Sequence, residues 1–116
     1  MTLERIIEEL GLKVLTEPKD FGQVAPISGY ASDMLSRVMT CAPRDGALWV
    51  TLQSHGNIVA VGAVLGLSAI IITEGEVPDQ DTIAKANRMN ITLLSTDKPT
   101  FYVVGNLWRL GLRDGA

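Results

Sequence analysis

The fold is decided between residues 47 and 73. The chain there reads Ala47-Leu48-Trp49-Val50-Thr51-Leu52, then Gln53-Ser54-His55-Gly56-Asn57, then Ile58-Val59-Ala60-Val61-Gly62-Ala63-Val64-Leu65-Gly66, then Leu67-Ser68-Ala69-Ile70-Ile71-Ile72-Thr73. No charged residue occurs from Gly46 to Thr73. A membrane span needs about 20 consecutive apolar residues in one helix. The longest apolar piece here, Ile58–Ile72, has fifteen and is broken by Gly62, Gly66 and Ser68. The run therefore reads as a buried strand, a polar loop, an apolar helix from Asn57 to about Leu65, and a second strand, Ala69–Thr73. A β-branched run that is apolar on both faces is the mark of a central strand covered by helices on each side.

The same alternation continues on both sides of this stretch. Pro78, Asp79 and Asp81 open a helix, with acids placed against its positive N-terminal end, and it runs to about Met89. Ile91–Ser95 reads as a strand, and Thr100 as the cap of a last helix carrying Phe101, Val104 and Trp108 on one side and stopping near Gly111. Upstream, Leu3, Ile6, Ile7 and Leu10 share one face of a helix over residues 3–10, with Thr2 as N-cap and Gly11 as stop. Leu12–Thr16 is a β-type run, Val24–Ile27 a weaker one, and Glu17–Gln23 a loop by composition. Ser32 is placed to cap a helix with Met34, Leu35, Val38 and Met39 on one stripe. Strands alternating with helices across short links imply crossovers and a largely parallel sheet. The expected architecture is a three-layer α/β/α sandwich with a mixed, largely parallel sheet of about five strands, in one domain over residues 1–116.

Composition narrows the function. The chain has 116 residues, ten Lys and Arg against thirteen Asp and Glu, and a formal charge of −3, which disfavours a nucleic-acid binder that relies on a broad basic face. A single Cys41 forms no intrachain disulfide, and a single His55 heads no His-rich metal cluster. The N-terminus lacks a basic segment before an apolar one, so a cytoplasmic protein is expected. No P-loop or dinucleotide fingerprint is present, and neither a metal nor a cofactor is expected.

In an open parallel sheet, ligands bind beyond the carboxyl ends of the strands, beside helix N-termini. Four loops fall at that edge: Ser28–Asp33, Gln53–Asn57, Thr73–Glu76 and Ser95–Thr100. They make Ser32, Asp33, Ser54, His55, Gly56, Asn57, Thr73, Gly75, Thr96 and Thr100 the candidate ligand-binding residues, for a small anion or a nucleotide fragment. The same residue types also serve plain turns and caps. Ser54 and His55 are adjacent and lack a nucleophile-elbow motif, so they do not read as a hydrolase pair. Cys41 reads as a small buried hydrophobe at a helix end.

The helix opening at Asn57 is apolar on all faces, whereas an outer helix of a small domain carries a polar side. Its outer surface is expected to meet a second copy of the chain in a two-fold homodimer. Ile58, Val61, Gly62, Leu65 and Gly66 are the expected interface residues, with the two glycines allowing close approach. The alternative is that the N-terminal helix or its loop covers this surface within one chain.

Three stretches, Ile27–Ser36, Leu48–Val61 and Ile70–Pro78, together with Lys85-Ala86 and Leu94-Ser95-Thr96 through Phe101, resemble the DRTGG domain family over nearly the whole chain. That family is prokaryotic and is similar to the N-terminal domain of HPr kinase/phosphorylase. The resemblance implies a non-catalytic regulatory or oligomerisation domain that acts through homodimer and regulatory-protein contacts. The alternative is a sensor of a small metabolite or adenine nucleotide at the carboxyl edge of the sheet. The family's Thr-Gly-Gly segment stands here as Thr73-Glu74-Gly75, and the Glu74 carboxylate would repel an anion at that turn.

Overall fold

A computed structural model describes residues 1–113, so the last three positions of the expected domain lie outside the described residues. Its elements in chain order are α1 (Leu3–Leu10), β1 (Lys13–Val14), a short 3-10 turn (Phe21–Gln23), β2 (Gly29–Ala31), α2 (Leu35–Cys41), β3 (Leu48–Thr51), α3 (Asn57–Leu65), β4 (Ala69–Ile72), α4 (Gln80–Arg88), β5 (Leu93–Ser95) and α5 (Thr100–Leu110). One five-stranded sheet has the order β1-β5-β4-β3-β2. β2, β3, β4 and β5 are parallel, and β1 is antiparallel to β5. The expected α/β/α sandwich with a mixed, largely parallel sheet is what forms. The radius of gyration is 12.5 Å, close to the ~13 Å of a folded chain this long.

Pleating divides the central strands between two cores. Trp49, Ile70, Ile72 and Leu93 face α2, α3 and α4, whereas Leu48, Val50, Ala69, Ile71 and Leu94 face α1 and α5. Both sets are fully buried or nearly so, and each Val, Leu or Ile side chain among them contributes about 2 kcal/mol of transfer free energy. The crossovers β2-α2-β3, β3-α3-β4 and β4-α4-β5 step in one direction across the sheet. Because parallel crossovers share one hand, all three helices lie on one face. The other face has only α1 and α5 to cover it. At the β2 edge it leaves Gly29 and Ala31 exposed.

Several local expectations are corrected. The edge strand β2 lies inside the segment read as the Ser28–Asp33 loop, while Val24–Ile27 is not a strand. Gly29 and Ala31 have little β propensity of their own, and the strand exists through its register with β3, Gly29 opposite Leu48 and Ala31 opposite Val50. The cap of α2 is Met34, not Ser32, and the N-cap of α5 is Pro99, not Thr100. Cys41 is exposed rather than buried. The stripe Phe101, Val104 and Trp108 on α5 faces away from the core, and Val103 and Leu107 are the buried residues of that helix.

The apolar helix α3 is also explained from within the chain. Ile58, Val61, Gly62 and Leu65, expected at an interface between copies, are buried in the protomer's own core. A Cβ at Gly62 would lie 3.2 Å from Ile70 Cδ1 and 3.4 Å from Ile91 Cγ2. This glycine therefore admits the sheet, not a second helix. Gly66 ends α3 in the left-handed conformation, φ 65°, and a Cβ there would meet Asp45 Oδ1 at 2.8 Å. α2 packs beside α3, and Ala60 and Val64 are the exposed apolar positions of α3.

Candidate functional site

The four loops expected to share an edge do so, since all four follow parallel strands. Their polar groups are largely committed to one another. Asp33 Oδ1 accepts hydrogen bonds from Thr51 Oγ1 and from the Leu52 backbone N–H, each at 2.8 Å. Gln53 Nε2 donates to the Asp33 carbonyl at 3.0 Å. Thr51 is fully buried, so Asp33 satisfies a hydroxyl that has no access to water and ties the β2–α2 loop to the end of β3. Ser32 contributes its Oγ to the Met34 N–H at 3.2 Å and its carbonyl to Trp49 Nε1 at 2.9 Å.

A second cluster closes the other half of the edge. Thr73, fully buried, shares a 2.6 Å hydroxyl–hydroxyl hydrogen bond with Thr100. Glu74 adopts φ 64° and Gly75 φ 75°, which turns the chain so that Glu74 Oε2 accepts the Thr100 N–H at 2.7 Å. A carboxylate from another loop thus supplies the capping acceptor that Pro99 lacks, against the positive end of α5. Thr96 Oγ1 accepts the Lys98 N–H at 3.2 Å. The N-terminus of α5 already holds an anion, and that anion belongs to the chain.

The remaining candidates are divided among separate depressions. Ser54 and His55 line a cleft of about 320 Å³ with Glu76 and Asp79. His55 and Gly56 line a neighbouring one of about 220 Å³ with Asp79, Asp81, Thr82 and Lys85. His55 Nδ1 accepts the Asn57 N–H at 3.4 Å. Hydrogen bonds from Thr82 hold the Asp79 carboxyl below the ordinary aspartate range, and His55 adds to this. With Glu76, Asp79 and Asp81 around it, this end of α3 favours a cation or a neutral polar group over an anion. Asn57 lines an apolar groove of about 270 Å³ with Leu35, Met39 and Val64.

Thr96 lies in a different cleft, about 360 Å³, with Lys13, Ser95, Asp97 and Lys98. With two lysines against Asp97, it is the one cleft among these four whose lining is net positive. Lys13 comes from β1, whose antiparallel pairing with β5 sets Lys13 opposite Ser95. The order of elements along the chain does not announce that pairing, and the sequence reading did not include Lys13. Among the described residues, no three His, Cys, Asp or Glu side chains group to hold a metal ion. No helix among them is long and apolar enough to cross a membrane.

A five-stranded open α/β sheet with two helices on one face and three on the other defines the class of fold. The fold is similar to part of a solved structure, the CBS and DRTGG domains of the regulatory region of Clostridium perfringens pyrophosphatase complexed with activator, diadenosine tetraphosphate. The two share 18% sequence identity with a TM-score of 0.65, over 90% of this chain and 44% of that one. The likeness is one of fold, and it supports the DRTGG-like expectation. The chain spans less than half of that structure's length. No family model matches the sequence, and no curated protein does.

Proposed function

We propose that this chain is a non-catalytic regulatory domain that acts through protein contacts, a second copy of itself among them. One observation carries this reading. Asp33, Thr51, Thr73, Glu74 and Thr100 at the carboxyl edge are committed to holding loops together, while large apolar side chains stand in solvent on α5. Catalytic constellations show the opposite pattern, polar groups aimed into a cavity and poised toward a substrate. The fold shared with a regulatory region supports the same reading. Light scattering of the 116-residue chain from 1 to several hundred micromolar tests it. A mass rising to a defined oligomer is expected, and a monomer throughout counts against self-association.

The second reading is a nucleotide sensor. It is favoured by the Lys13 and Lys98 cleft and by the nucleotide activator bound in the structural neighbour. A ligand at 100 times its dissociation constant stabilises its protein by about 2.7 kcal/mol. Thermal unfolding with a panel of mono- and dinucleotides, diadenosine tetraphosphate included, would reveal such a site. A flat response removes this reading and leaves the first untouched.

A further inference from the structure

We infer that the contact surface is the outer face of α5, and that its occupant is the α5 of a second copy, paired antiparallel across a two-fold axis. This deepens the contact-domain reading and rests on it. Phe101 is 91% exposed, Trp108 53% and Val104 38%, and with Gly105 they form one stripe at i, i+3, i+4 and i+7. That spacing is the seam by which helices pair. The buried residues Val103 and Leu107 lie on the opposite side of the helix. A small domain has no reason of its own to present its most exposed phenylalanine and an indole on one line.

The position of Gly105 fixes the geometry. The midpoint between positions 101 and 108 falls between Val104 and Gly105, and nothing lies within 4 Å of a Cβ built on Gly105. A two-fold axis through that midpoint brings the helices together at their smallest side chains. It sets Phe101 of each copy, about 10 Å along the helix from Trp108, against Trp108 of the other. Both aromatic pairs are then satisfied by one operation, as an isologous interface requires. Beside Trp108, a cleft of about 110 Å³ between α5 and the small residues Gly29 and Ala31 of β2 gives the incoming ring a seat. It opens where this face of the sheet lacks a third helix.

Area and charge agree with a second copy as the occupant. Aromatic side chains offer roughly 150–250 Å² each. At the stated exposures, with Tyr102 at 41%, this face holds on the order of 400 Å² of apolar surface. That is at the scale of functional patches and about half of the ~800 Å² per partner in a standard interface, so the rim must supply the rest. Arg109 is the one charged residue within α5, and Arg113 stacks on the Trp108 ring at 4.8 Å. Glu74, Asp97 and Lys98 lie at the other end of the helix, net negative by one charge, with Lys98 Nζ 5.3 Å from the Tyr102 ring centroid. Antiparallel pairing sets the arginine end of one copy beside this net-negative end of the other and opposes the two helix dipoles; parallel pairing brings Arg109 and Arg113 of the two copies together.

The test uses the full chain and two variants, Phe101→Glu and Gly105→Leu, at positions where the protomer leaves room for either side chain. Far-UV circular dichroism checks that both fold. The expected result is a wild-type mass of twice 12.5 kDa at tens of micromolar, with at least a 100-fold weaker dimer in each variant. Trp108 emission should shift to the red in the variants and in dilute wild type, while buried Trp49 stays unchanged. A wild-type dimer that neither variant weakens, or a dimer weakened by only one of the two, overturns this face and axis but leaves the contact-domain reading standing. A wild-type monomer at several hundred micromolar overturns both.

Discussion

The carboxylate of Glu74 accepts a 2.7 Å hydrogen bond from the backbone N–H of Thr100, 26 positions further along the chain. The acid that looked like an obstacle to anion binding is itself the anion at the start of α5. Removing it leaves a helix N-terminus without a capping acceptor. Glu74→Ala is expected to cost about 1 kcal/mol, or roughly 4 °C in melting temperature, and Glu74→Gln less. Thermal unfolding monitored at 222 nm measures it, and an unchanged midpoint would show that water caps α5 equally well.

Asp33 and Thr51 form the second tie across the edge. Asp33→Ala leaves the buried Thr51 hydroxyl and the Leu52 N–H without this acceptor. An unsatisfied buried polar group costs about 1–3 kcal/mol, so chemical denaturation should show a loss in that range. Thr51→Val removes the hydroxyl together with its need for a partner. Combined with Asp33→Ala, it should cost clearly less than the two single losses added; simple additivity would mean the two groups are not coupled.

Gly62 lies where α3 presses on the sheet, 3.2 Å from Ile70 Cδ1 at its would-be Cβ. Gly62→Val must push Ile70 or Ile91 aside and should destabilise by about 1–3 kcal/mol. Ala60→Val, on the exposed side of the same helix, should change stability by less than ~0.5 kcal/mol. Equal effects at the two positions would contradict the burial of Gly62.

Asp79 caps α4 by accepting the Thr82 N–H at 2.8 Å, and its carboxyl titrates below the ordinary aspartate range. A group whose folded pKa is depressed stabilises the fold above its unfolded pKa, about 4. That contribution disappears as pH falls through the folded value. Asp79→Ala should therefore lower the melting temperature at pH 7, and the difference from wild type should narrow steadily below about pH 4. A difference independent of pH would mean that the carboxylate's charge contributes nothing.

Cys41 is exposed, with Thr40 Oγ1 at 3.5 Å and Arg37 Nη1 at 3.9 Å from its sulfur. The Thr40 hydroxyl, with help from Tyr30 and Arg37, holds the thiol below its ordinary pKa. A larger thiolate fraction near neutral pH should make it alkylate faster than an unperturbed thiol. Thr40→Val should slow that reaction, as iodoacetamide labelling followed by mass spectrometry would show.

The sheet was legible because its central strands are apolar on both faces. Ala69–Ile72 cannot be anything but covered, and the charge-free run from Gly46 confines Leu48–Thr51 beside it. β2 was not legible, since Gly29 and Ala31 take their conformation from pairing with β3. Of the ten candidate ligand residues, the shared edge was foreseeable from strand-helix order. That Asp33 and Thr73 bond to Thr51 and Thr100 was not, because those partners lie in other turns of the backbone. The apolar helices misled in complementary ways. α3 read as too apolar for one chain because the sequence could not show how little of it faces water. α5 read as ordinarily amphipathic because periodicity reveals a stripe without revealing which way it points.

By itself, the sequence determined the alternation of strands and helices, the parallel core and the absence of familiar catalytic motifs, since these follow from local periodicity and residue chemistry. Only the tertiary structure decided that Gly62 receives the sheet, that Glu74 caps a distant helix and that Phe101 and Trp108 face outward. Rotation of a helix about its axis is set by competition among all the apolar faces packing together, and no single segment contains that information.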